Sequence, residues 1–224
     1  MPRQAGESEG RAAGCAPTVF HEGERAVQRR AAVERVAAQV GRNILPFVPV
    51  KFGEFLARQP FVVVASQDET GRVWASLVGG GAGFARALDD RQIILAGGRL
   101  PGTHCTPRSR ALARAGVLAI QFDTRIRIRL NGVAQRTPDG ILLTVEEAFG
   151  NCPKFIQRRL PMDTLATARA AEIREGGSLD RRQAALARRA DTLFIATPTR
   201  NAAPMPRIAA AAEGSSRSPT TAAG

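Results

Sequence analysis

Asn151-Cys152-Pro153-Lys154 is a short, polar, turn-forming string that sets a lysine beside a proline-fixed backbone. Lys51 and Lys154 are the only lysines among 32 basic residues; the rest are arginines. A second pattern lies upstream. Arg125, Arg127 and Arg129 recur at steps of two, with Ile126, Ile128 and Leu130 between them. On a strand, that spacing turns three guanidiniums to one face. A phosphate dianion needs fixed donors of this type, and Lys154 adds a point charge. Each pattern also has a plainer reading. The arginine stripe can be a solvated basic face. The string can be a loop-to-helix cap, with Asn151 capping, Pro153 opening the helix and Lys154 in water.

Other chemistries fit less well. Cys152 has no histidine near it in sequence, and the chain holds only His21 and His104, so a buried small residue is the better reading than a nucleophile. Cys15, Cys105 and Cys152 form no CxxC pair, so no metal site can be assembled by spacing. Gly79 to Gly83 lacks the Lys-Ser/Thr of a phosphate-cradling loop and reads as a flexible hairpin end.

The elements that must position these residues are mostly strands. Residues 1–18 are Gly, Ala, Ser and charge, and are expected to be mobile. From Glu22 the spacing predicts a helix, with Val33, Val36, Val40 and Ile44 as one apolar stripe, ended by Pro46 and Pro49. A short helical turn is expected from Lys51 to Arg58. Phe61–Ser66 and Arg72–Val78 form a hairpin about a polar turn. Further strands are expected at Gln92–Ala96, Val117–Asp123, Arg125–Arg136 and Ile141–Ala148, with a short helix at Ser109–Ala115. The string at Asn151 should lead into a short helix to Arg159. A basic helix at Asp180–Ala190 and a last strand at Thr192–Thr197 follow. Five or six short strands separated by turns favour an antiparallel barrel over a parallel sheet.

Composition sets outer bounds. A chain of 224 residues, 44% hydrophobic, can bury a real core in one large domain or two small ones. The net charge of +12 raises nucleic acid as a partner. The positives are spread rather than blocked, and the Arg/Ala bias is that of a GC-rich genome, which argues against nucleic acid as the partner. No apolar run reaches membrane-spanning length, no signal-peptide region opens the chain, and the cysteines are odd in number. The expectation is a cytoplasmic chain with no membrane contact.

The longer string Phe149-Gly150-Asn151-Cys152-Pro153-Lys154-Phe155-Ile156-Gln157 resembles the Gly-Asn-Cys-Pro-Lys-Tyr-Ile-Gln signature of a branch of the pyridoxamine 5'-phosphate oxidase-like proteins, the flavin-binding split barrels. Gly71-Arg72-Val73-Trp74-Ala75-Ser76-Leu77 resembles that branch's early flavin-facing strand, and Phe20-His21-Glu22-Gly23-Glu24-Arg25-Ala26-Val27-Gln28 its N-terminus. The matches occur in the family's order and cover residues 19–197.

The resemblance implies a mainly β (α+β) fold: an antiparallel FMN-binding split barrel with an N-terminal helix and peripheral helices. It implies non-covalent FMN, a homodimer and oxidoreduction, with the substrate open. It places Trp74, Ala75, Ser76 and Leu77 along the flavin ring, Arg127 and Arg129 at the phosphate, and Asn151 and Lys154 at the ring carbonyls, the phosphate or the reduced flavin. Core packing is the plainer role for Trp74. Phe155 stands where the family commonly carries Tyr, which removes a hydroxyl. A non-enzymatic flavin-binding protein is one rival; a basic nucleic-acid-binding barrel is the other.

After Thr197 the character changes. Residues 198–224 are rich in Ala, Ser, Thr and Pro without periodicity, and read as a disordered tail. Shifted by one base in GC-rich codons, Ala203–Ala210 can encode Ala-Asp-Ala-Ser-His-Arg-Gly-Gly, which resembles the family's continuation at this point. The expectation is a frameshift close to Thr197. It would leave the split barrel incomplete at its C-terminal end, with an open edge, and the chain as written non-functional.

Overall fold

The computed structural model describes residues 19–68, 70–96, 98–99, 113–154, 156–160, 177–197 and 207–212. The backbone clusters into two units, residues 1–43 and 44–224.

In the first unit, helix α1 (Glu22–Arg30) begins with a reciprocal cap. The Glu24 amide donates to His21 Nδ1 at 3.2 Å, and the His21 amide donates to Glu24 Oε2 at 3.1 Å. One of the two histidines is thus a helix cap. The predicted single helix is broken: Ala32 takes a left-handed φ of 53°, and α2 (Glu34–Gly41) starts anew. The valine stripe lies on α2, but Val36 and Val40 are 61% and 54% exposed.

The second unit is mainly β. Helix α3 (Val50–Ala57) precedes β1 (Phe61–Gln67), β2 (Val73–Gly79), β3 (Ala85–Ala87), β4 (Gln92–Leu95), β5 (Gly98–Arg99), β6 (Ala113–Gln121), β7 (Ile126–Thr137) and β8 (Gly140–Asn151). Helix α4 (Arg181–Arg189), β9 (Thr192–Thr197) and β10 (Arg207–Ala212) complete the order. The first eight strands form one sheet in the order β3-β4-β8-β7-β6-β1-β2-β5, with every pair antiparallel. That order has two ends, so among the described residues the sheet is open, not a closed barrel. One buried cluster draws on every strand from β3 round to β2, with Phe55 and Leu56 of α3 plugged into it.

Apolar runs tell which strands are covered on both faces. In β1, Val62 and Val64 face the main core, while Val63 and Ala65 face the other side. There, β9 and β10 form a separate two-stranded ribbon in contact with β1, β2 and β6. Phe194 and Ala196 of β9 pack on Val63, Ala65 and Leu118. Leu193 and Ile195, the alternate residues, point outward and are exposed.

Three expectations are corrected here. Ala113–Ala115 belongs to β6 rather than to a short helix, because each residue is already paired with β7. The segment after Asn151 is not helical among its described residues; Asn151 ends β8 instead of capping a helix. Arg207–Ala212 is a strand inside the stretch expected to be a disordered tail. The mobile segment expected at residues 1–18 and the loop carrying His104 and Cys105 lie outside the described residues.

Two glycines are required by geometry. Gly71 closes the β1–β2 turn at φ 80°. Gly132 sits at a register shift between β7 and β8, where a Cβ would collide with the Thr144 carbonyl.

Candidate anion site on the outer face of β7 and β8

Cross-strand register fixes which residues share a face. Val63 of β1 lies opposite Leu77 of β2 and Leu118 of β6. Leu118 lies opposite Arg129 of β7, and Arg129 opposite Phe149 of β8. This row runs Leu77, Val63, Leu118, Arg129, Phe149, on the face away from the main core. One row along, Ile120, Arg127 and Asn151 align on the same face. Ala75 follows Leu77 by two-residue alternation. The face therefore carries Ala75, Leu77, Arg127, Arg129 and Asn151.

Trp74 and Ser76 are on the opposite face. Ser76 is buried and pairs in register with Val64 of the core row. The Trp74 indole Nε1 donates to Asp68 Oδ2 at 2.9 Å. Asp68 also accepts from the Thr70 amide at 2.9 Å, the Thr70 hydroxyl at 2.6 Å and the Arg72 amide at 3.0 Å. These bonds hold its carboxyl well below the usual carboxylate range, the Thr70 hydroxyl most of all and Trp74 next. Trp74 thus takes part in locking the hairpin turn. The alternation within Trp74-Ala75-Ser76-Leu77 splits the string between two faces, so it cannot act as one ring-contacting unit through its side chains.

The arginine stripe is narrower than its spacing predicts. Arg125 is not on the strand; it takes φ 57° in the β6–β7 turn and is exposed. Arg127 and Arg129 are on β7, about 7 Å apart along it by the ordinary strand rise, and both are half-buried. Arg129 Nε is buried without a hydrogen-bond partner, and its guanidinium lies 5.9 Å from the Phe149 ring centroid. Burial, and then the like charge of Arg127, lower its pKa to about 10. Asn151 Oδ1 is also buried without a partner. Arg127 Nη2 donates to the Cys152 carbonyl at 3.2 Å, which ties the start of β7 to the segment after β8. Lys154 is exposed on that segment, and so is Cys152, against the expectation of a buried small residue. Phe155 lies outside the described residues.

Two half-buried cations on one face, with the Arg129 Nε unused, form a preorganised seat for an anion, while the Asn151 amide oxygen, an acceptor, suits a ligand N–H instead. A phosphate fits it: Arg127 and Arg129 supply the donors, and Lys154 stands on the adjoining segment. The ring end fits only in part. Ala75 and Leu77 share the face but lie on β2, three strand spacings from β7, or about 14 Å along the sheet. The signal that sequence reasoning passed over was Phe149. It is the residue before the Gly-Asn-Cys-Pro-Lys string, and its register opposite Arg129 sets an aromatic against the cation.

No protein-family model, curated protein or solved structure matches the chain. Among the described residues, no helix is long and apolar enough to cross a membrane.

Proposed function

We propose that the chain is an FMN-binding, oxidoreductase-like protein of the pyridoxamine 5'-phosphate oxidase-like type, with the phosphate of FMN seated on Arg127 and Arg129. The observation that carries this reading is the desolvated Arg129, whose buried Nε has no hydrogen bond beside Arg127, Phe149 and Asn151. A cation so placed is costly unless an anion meets it. The resemblance at Phe149–Gln157 supplies the identity of that anion.

In this reading Arg127 and Arg129 bind the phosphate, Lys154 adds charge from the segment after β8, and Asn151 offers its amide to a polar edge of the ligand. Ala75 and Leu77 share the face but lie beyond Val63 and Leu118, which Phe194 and Ala196 cover, so a ring that reaches them needs the β9–β10 ribbon displaced. FMN, when bound, supplies the electron-carrying chemistry, and the protein supplies position and electrostatics. Trp74 and Ser76 serve the hairpin and the core.

The split-barrel closure, a homodimer, cytoplasmic residence and a frameshift near Thr197 belong to the same proposal. Sequencing the gene across codon 197 tests the shift; an unshifted, stop-free frame through the tail would rule it out. FMN titration of the purified chain, followed by quenching of flavin fluorescence, tests the site. Saturable quenching that Arg129→Ala weakens at least tenfold is the expected result. A flavin that binds and is turned over by no electron donor would favour the storage protein over the enzyme.

A further inference from the structure

The outer-face row of Leu77, Val63, Leu118, Arg129 and Phe149 is open at both ends and covered in the middle. Leu77 is exposed at one end; Arg129 and Phe149 are half-buried at the other. Between them Val63 and Leu118 are buried, packed beneath Phe194 and Ala196 of β9. Leu118 stands opposite Arg129 on the adjoining strand, one spacing or about 4.8 Å away. The apolar floor beside Arg129 is therefore the floor on which Phe194 already rests. A ligand that joins an anionic group to a flat ring needs both, and Phe194 holds the second.

What holds the ribbon is limited. Among the described residues, neither of its strands pairs with the eight-stranded sheet. A two-stranded ribbon has little stability of its own and depends on what it packs against. Here that is the contact of Phe194 and Ala196, with Phe194 only half-buried. A clasp is added where the ribbon begins. Asp191, the residue before β9, is ion-paired with Arg159, and the Arg159 amide donates to the Phe122 carbonyl at 3.4 Å, beside the β6–β7 turn. Both side chains of that pair are exposed, so it contributes little. Leu193 and Ile195 point outward at 45% and 43% exposure, so among the described residues no further layer presses the ribbon down.

We propose that the β9–β10 ribbon is an autoinhibitory cover: Phe194 occupies the place of a ligand ring, and an aromatic anion seated at Arg129 binds only as the ribbon lifts. The inference rests on the flavin reading in that both seat the anion at Arg129. Apparent affinity is then the intrinsic affinity reduced by the fraction of chains whose ribbon is lifted. A ringless anion such as inorganic phosphate needs no apolar floor and escapes that penalty.

Calorimetry and amide exchange on the full chain test it, with FMN, 8-anilinonaphthalene-1-sulfonate (a ring system with one anionic group) and inorganic phosphate as separate probes. Phe194→Ala should tighten FMN at least about tenfold, as a cover closed in about nine chains of ten implies, and leave phosphate affinity unchanged. Arg159→Ala undoes only the exposed clasp and should move FMN the same way by about two- to fivefold; it decides the matter if Phe194→Ala fails to fold. In the unaltered chain, FMN should accelerate amide exchange of Leu193–Ile195, which a purely structural ribbon would not show. If FMN binds all three chains equally and leaves that exchange as it was, the cover falls and the flavin reading stands. If FMN binds none of them, the sulfonate decides. A gain in sulfonate affinity in both variants, lost again on adding Arg129→Ala, keeps the cover while the flavin reading falls. No such gain overturns both.

Discussion

Arg127 of β7 stands directly opposite Asn151 of β8, and one step along the same ladder Arg129 stands opposite Phe149. A residue from the middle of an alternating stripe and one from the Asn-Cys-Pro-Lys string are thereby brought side by side. Arg129 is the costly member. Its pKa is lowered to about 10, so its charge is penalised throughout the neutral range. The folded state binds fewer protons than the unfolded above that value, so this cost is relieved only as pH rises through about 10. Arg129→Met should therefore raise the stability of the ligand-free chain at pH 7, by about 1 kcal/mol on the scale of buried-charge replacements. It should also abolish FMN quenching. Urea unfolding and flavin titration on the same variant read both effects; a destabilised variant would mean that the charge is satisfied without a ligand.

Asp68 and Trp74 make a separate, structural device. Asp68 is held ionised by the Thr70 hydroxyl, Trp74 and two backbone amides. Its folded pKa lies below that of a free aspartate, so its contribution is present above the ordinary aspartate value and is lost as pH falls further. Trp74 is the only tryptophan, which makes its fluorescence a direct reporter. Its emission should stay constant from pH 7 down through the ordinary aspartate value of about 4 and shift only well below it. Asp68→Asn should show the shifted emission at every pH. Its FMN affinity should be unchanged, because Trp74 faces away from the arginines.

Gly132 allows β7 and β8 to approach at their register shift, where a side chain would meet the Thr144 carbonyl. Gly132→Ala should destabilise by about 2 kcal/mol or more, as overpacking against backbone does. It should also weaken flavin binding, since the same ladder sets Arg129 against Phe149. Urea unfolding with unchanged slope would identify the loss as one of stability alone.

The ribbon of β9 and β10 holds to the sheet through Phe194 and Ala196, without backbone pairing between the two sheets. Phe194→Ala should release it, and amide exchange of Leu193–Ile195 should accelerate while that of Val63 and Leu118 changes less. Equal acceleration in both would mean that ribbon and sheet unfold as one unit.

Much of the strand plan was legible because the strands differ in pattern. The continuous apolar run of β1 and the alternation of β9 each have a covered or half-covered face as their cause. The basic helix α4 was marked by Asp180, whose side chain accepts from the Gln183 amide at 2.7 Å. The break at Ala32 was not legible, because nothing in Ala31-Ala32-Val33 forbids a helix; a left-handed alanine is a choice of tertiary context. Ala113–Ala115 read as the end of a helix on propensity, whereas pairing with β7 makes them strand.

For the site, the two-residue step correctly put Arg127 and Arg129 together. The same rule, applied to Trp74-Ala75-Ser76-Leu77, divides that string, which resemblance alone had kept whole. The strand order, and with it the placing of Phe149 beside Arg129 and of Leu77 three strands off, is long-range pairing that local pattern does not encode.

Whether this face of β7 and β8 holds the phosphate of a flavin is read from the absorbance spectrum of the purified chain after loading with FMN and gel filtration, beside Arg127→Ala/Arg129→Ala and beside a version with the tail returned to frame. A yellow flavin band is expected in the restored chain, with its loss when both arginines are replaced. A band in the original chain as well would show the described sheet to be sufficient. A band that survives loss of both arginines, or no band in any form, would contradict the account.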